Sequence, residues 1–104
     1  MLEIRCLASG SKGNCYHISN DNTSFLIEVG LPFKKIQREL KYALHNLAFV
    51  AISHEHSDHS RCVKEILDAG IDCYMSSGTA RELKLPEYHN RLHVIRAGEL
   101  EQTE

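Results

Sequence analysis

The densest chemistry in this sequence is Ser53-His54-Glu55-His56-Ser57-Asp58-His59, where three histidines and an aspartate fall within six residues. Imidazole nitrogens and carboxylate oxygens are donors that borderline divalent ions accept, at about 2.0–2.2 Å for zinc. On an extended backbone, residues two apart point the same way about 6.6 Å from one another, so His54 and His56 can converge on one ion. Asp58 and His59 follow where the chain turns toward a helix, and they add an oxygen and a nitrogen to the same mouth. This donor set favours Zn2+, with Mn2+ or Fe2+ as alternatives. A single histidine is ordinarily a solvated surface residue, but three with an aspartate at this spacing read as ligands.

The elements that must position this cluster can be read along the chain. Alternation over Leu2–Leu7 and Cys15–Ser19, on either side of the turn-rich Ser9-Gly10-Ser11-Lys12-Gly13-Asn14, predicts two strands around a glycine loop. A third strand runs through Ser24–Val29 to Gly30. Pro32 and the spacing of Phe33, Ile36, Leu40 and Leu44 predict a helix over about residues 32–45. Leu47–Ile52 is continuously apolar, as in an inner strand covered on both faces, and the histidine cluster sits at its carboxyl end. Open α/β sheets place their sites there. Val63, Ile66 and Leu67 mark a second helix ending at Gly70, with Ser57 as its candidate N-cap. A strand at Cys73–Met75, a short helix at Thr79–Leu83 and a strand at Leu92–Ile95 follow, and Gly98-Glu99 reads as a turn into one more strand. The order β-β-β-α-β-α-β-α-β predicts an α/β fold with a mixed sheet, forming a single unit over residues 1–104.

Composition narrows the function classes. The sequence is 42% hydrophobic and 25% charged with a formal net charge of -2, so it should fold and carries no overall attraction to nucleic acid. Cys6, Cys15, Cys62 and Cys73 form no C-x-x-C pair and read as reduced core residues. Met1 leads straight into a strand pattern without a signal peptide, and no apolar run approaches the roughly 20 residues of a membrane helix. A soluble, cytoplasmic chain with no membrane partner is expected.

Other polar residues have weaker readings. Lys12-Gly13-Asn14 could offer N–H groups and an ammonium to a phosphate, or form a plain hairpin turn. His17 alternates with Cys15 and faces the sheet surface, and His45 lies near a helix end where the dipole favours a cation. His89 and His93 read as solvated or structural, although they are the only candidates for substitute ligands.

His54-x-His56-x-Asp58-His59 after an apolar strand resembles the H-x-H-x-D-H signature of the metallo-β-lactamase superfamily. Ser9-Gly10-Ser11-Lys12-Gly13-Asn14 is similar to the S-G-S-x-G-N loop of its branch of WalJ-type exonucleases and related phosphodiesterases. The resemblance implies the N-terminal half of an αββα sandwich and metal-dependent hydrolysis of a phosphodiester, with nucleic acid as a substrate class. It further implies that His54 and His56 serve one ion and Asp58 and His59 another, and that Asp58 orients or deprotonates the attacking water. Glu28 stands where the family usually has an aspartate supporting the ligands. The family's third histidine, bridging aspartate and final histidine come from a C-terminal half, whereas 45 residues follow His59 here. With two protein ligands per ion, metal would be held weakly. A non-catalytic metal-binding half-domain, with its exposed face covered by self-association or a partner protein, is therefore the alternative.

Overall fold

The computed structural model describes residues 1–86 and 89–95. Strands β1 (Glu3–Ala8), β2 (Cys15–Ser19) and β3 (Ser24–Ile27) form an antiparallel meander. Helix α1 (Phe33–Glu39) and a 3-10 turn at Leu44–Asn46 lead into β4 (Leu47–Ala51). Helices α2 (Ser57–Ser60) and α3 (Val63–Asp68) precede β5 (Cys73–Ser76), and α4 (Ser77–Glu82) precedes β6 (Leu92–Ile95). The six strands make one sheet in chain order, parallel from β3 onward. This is the mixed sheet expected from the sequence. The Gly98-Glu99 turn lies outside the described residues.

Parallel pairing follows from the helices. Antiparallel neighbours need only a short turn, whereas each parallel step is carried by a helical crossover. Ile36 of α1, Val63, Ile66 and Leu67 of α3 and Ala80 of α4 share one core with Leu26, Val50, Cys73 and Met75 of the sheet. Burying the Val, Leu, Ile and Met side chains of this set stabilises the fold by about 1.5–3 kcal/mol each.

The opposite sheet face has different contents. Phe25 is paired with Phe49 across β3 and β4, with stacked rings 4.6 Å apart; Phe49 meets Tyr74 edge-on at 5.6 Å, and Tyr74 stacks on His93 at 4.5 Å. None of these four rings belongs to the buried core, and Tyr74 is 36% exposed. By strand alternation the same face continues onto Ile27 and Ile4, both exposed.

Four local expectations change. Strand β4 is inner but buried on one face only, since Leu47, Val50 and Ile52 enter the core while Ala48 is exposed and Phe49 lies outside it. Helix α1 ends at Glu39 instead of near residue 45, because Lys41 and Tyr42 adopt left-handed backbone with φ of 53° and 60°. Leu44 still reaches the core, from the 3-10 turn, so the apolar spacing was met by two short pieces. Ser57 is the first residue of α2, not a cap; His56 holds the N-cap position, and the Ser60 hydroxyl donates back to the carbonyls of Glu55 and His56 at 2.8 and 3.1 Å. Cys6 is exposed on the edge strand β1, while Cys15, Cys62 and Cys73 are buried thiols whose pKa desolvation pushes up to about 12.

Candidate metal centre

Strands β3 and β4 run parallel, so their carboxyl ends finish at one edge of the sheet. Glu28 leaves β3 there and the histidine segment leaves β4 beside it, with the Glu28 N–H donating to the Ala51 carbonyl at 2.9 Å. Glu28 takes a left-handed φ of 69°, a conformation that costs a non-glycine residue about 1 kcal/mol or more and recurs at functional sites. Its carboxylate is buried, at 4% exposure, and every contact it makes is to a donor. One oxygen accepts the Ser53 backbone N–H at 2.7 Å. The other accepts the Ser53 hydroxyl at 2.5 Å and Nδ1 of His59.

These contacts fix proton positions. A carboxylate only accepts, so His59 carries a proton on Nδ1 and turns Nε2 away from Glu28, toward Asn14 and Asp58. That Nε2 faces Asp58 Oδ2 at 3.4 Å. His54 and His59 ring centroids are 3.8 Å apart, and His56 stands edge-on to His54 at 5.0 Å. One donor atom each from Glu28, His54 and His59 lies within 4.8 Å of the others. Since the carboxylate of Glu28 is already occupied by donors, we assign it to holding the rings rather than to facing an ion. Such partners orient ligands and raise their basicity.

The glycine loop closes the assembly from below. The Asn14 backbone N–H donates to the Asp58 carbonyl at 2.7 Å, Gly30 N–H to Asn14 O at 2.9 Å and Val29 N–H to His59 O at 2.8 Å. The Asn14 side-chain amide donates to Gly10 O at 3.0 Å and Asp58 O at 3.1 Å, while its oxygen accepts the Gly10 N–H at 3.1 Å. The N–H groups of Gly10, Gly13 and Asn14 are spent inside the protein, as in a hairpin turn, and Lys12 is exposed.

Of the sequence-predicted residues, the structure brings His54 and His59 into the tight group, sets Asp58 against His59, and leaves His56 at the exposed rim. The extended-backbone argument for His54 and His56 does not apply, since β4 ends at Ala51 and the segment bends before α2. The other histidines lie outside the group. His45 is exposed on the 3-10 turn, His89 faces Asp68 at 3.7 Å, and His93 pairs with Asp72 at 3.0 Å, which holds the Asp72 carboxyl below its ordinary range. Sequence reasoning missed Ser53 and Asn14 as parts of the site, and left the role of Glu28 open.

The sheet order, the helices packed on one sheet face among the described residues and a histidine-rich loop at the carboxyl end of β4 define part of the metallo-β-lactamase fold. The DIM-1 metallo-β-lactamase superimposes with a TM-score of 0.64 at 14% identity, over 92% of this chain and 53% of that one. A chemotaxis sensor, ODP, solved as a peroxy diiron species, gives 0.72 at 17% identity over 91% of this chain and 41% of that one. In sequence the chain is homologous to the exodeoxyribonuclease WalJ of Streptococcus pneumoniae, 30% identical over 101 residues, 88% of this chain and 38% of WalJ. It is likewise similar to the exodeoxyribonuclease YycJ of Bacillus anthracis, 32% identical over 92 residues, 86% of this chain and 30% of YycJ. The chain thus spans under two-fifths of the length of the curated relatives it matches. No protein-family model matches it.

Proposed function

We propose that this chain forms the metal-binding mouth of a metallo-β-lactamase-fold hydrolase that cleaves phosphodiesters in nucleic acid. The observation that carries the reading is the His54–His59 contact beside Asp58, with a buried carboxylate holding Nδ1 of His59 so that its Nε2 faces Asp58. The donors fit a borderline divalent ion: imidazole nitrogens of His54, His56 and His59 with a carboxylate oxygen of Asp58, favouring zinc over manganese or iron. Bound there, such an ion supplies Lewis acidity, lowering the pKa of a water and offsetting charge on the phosphodiester. Asp58, 29% exposed at the mouth, orients that water or takes its proton. The similarity to WalJ and YycJ supports DNA as the substrate.

A second reading is favoured by the aromatic ladder on the sheet face that no helix covers among the described residues. In it, the 104 residues act as a non-catalytic metal-binding half-domain whose face is covered by a second copy or another protein. With no further histidine in the group among the described residues, metal is held by few protein ligands and turnover by the isolated chain is weak.

Elemental analysis of the purified chain, beside hydrolysis of bis-p-nitrophenyl phosphate and single-stranded DNA with added Zn2+ or Mn2+, separates the two. Metal-dependent turnover abolished by Asp58→Ala establishes the enzyme. Bound metal without turnover in the isolated chain fits the half-domain. Absence of metal uptake refutes both.

A further inference from the structure

We propose that Ser53 is a positioning residue: it passes the hold of Glu28 on to His54, so that one buried carboxylate sets the ring tautomer of both His54 and His59. The Ser53 hydroxyl lies 2.5 Å from Oε2 of Glu28 and 2.8 Å from Nδ1 of His54. A serine hydroxyl has one proton to give. The carboxylate has none, so the proton goes to Glu28 and the hydroxyl oxygen accepts from His54. His54 therefore carries its proton on Nδ1 and leaves Nε2 bare, matching what Glu28 imposes directly on His59.

The geometry separates this role from a structural one. The Ser53 backbone N–H holds the other oxygen of Glu28 at 2.7 Å whatever the side chain, so removing the hydroxyl takes away its own bonds to Glu28 and His54 but leaves Glu28 tethered by that N–H and by His59. Ser53 is exposed and outside the core, so its truncation leaves the fold in place. The consequence for metal affinity rests on the function proposed above; the tautomer assignment does not.

The test is long-range 15N–1H correlation spectroscopy on the metal-free chain as wild type, Ser53→Ala and Ser53→Thr, with zinc calorimetry on the same samples. The expected result is Nδ1–H on His54 and His59 in the wild type. In Ser53→Ala, His54 shifts toward Nε2–H while His59 is unchanged; Ser53→Thr restores the wild-type pattern. Zinc affinity falls about 10- to 100-fold in Ser53→Ala, the usual effect of losing a ligand's supporting partner, and returns in Ser53→Thr. A His54 tautomer that is the same in all three proteins overturns the role of Ser53. A wild-type chain that takes up no zinc overturns the metal reading instead, and the tautomer pattern still decides on Ser53.

Discussion

Gly30 lies so close beneath Asp58 that a Cβ on Gly30 would come 1.8 Å from the Asp58 carbonyl oxygen and 2.8 Å from the Asn14 nitrogen. Three segments, the glycine loop, the end of β3 and the histidine segment, therefore meet at a point with no room for a side chain. The partners are backbone, which cannot swing aside as a flexible side chain would.

Gly30→Ala is accordingly expected to destabilise the chain by about 3 kcal/mol or more, at the upper end of overpacking costs. Gly78→Ala is the control, because its Cβ would meet nothing nearer than the Ser76 hydroxyl at 4.0 Å. Alanine in helix α4 should be neutral or stabilise by roughly 0.5–1 kcal/mol. Urea denaturation of both variants checks the pair, and equal midpoints would contradict the packing described.

This junction also marks the limit of what the sequence conveyed. The ligand-bearing segment was legible because its donors are adjacent in the chain, and the strands because apolar alternation reports burial directly. Glu28 lies 25 residues from Ser53, and their contact arises from the parallel pairing of β3 and β4, which local pattern does not encode. Asn14 was ambiguous for a related reason: a glycine-rich turn can direct its N–H groups outward to an anion or inward to Asp58, and only tertiary structure chooses. Helix α1 was overextended because Leu40 and Leu44 keep helical spacing across a backbone reversal with no glycine or proline to announce it.

His17 gives a pH prediction. Burial and then the neighbouring Arg5 cation lower its pKa below 6.5, against a smaller opposing effect of Glu3. The folded state thus prefers the neutral ring, so the contribution is complete above pH 6.5 and is lost as the pH falls from there through the folded value. Thermal melts at stepped pH should show the wild type losing more stability than His17→Gln on acidification below 6.5. A parallel decline in the two proteins would sink this assignment.

The aromatic ladder predicts association. With Phe25, Phe49 and Tyr74 lying outside the core on a face that also carries exposed Ile27, the isolated chain has an apolar surface of the kind that recruits a partner. Sedimentation velocity is expected to show concentration-dependent dimers or larger species, dispersed to monomer by Ile27→Lys with Tyr74→Lys. A wild-type monomer at high concentration would count against it.

The central claim is that the segment after β4 binds a metal ion, and zinc titration by isothermal calorimetry tests it most directly. Loss of supporting partners alone costs 10- to 100-fold in affinity, so removing two ligands should cost more. The wild type should therefore bind zinc, and His54→Ala with His56→Ala should bind at least about a hundredfold more weakly while remaining folded. Equal affinity in the two proteins would contradict the account.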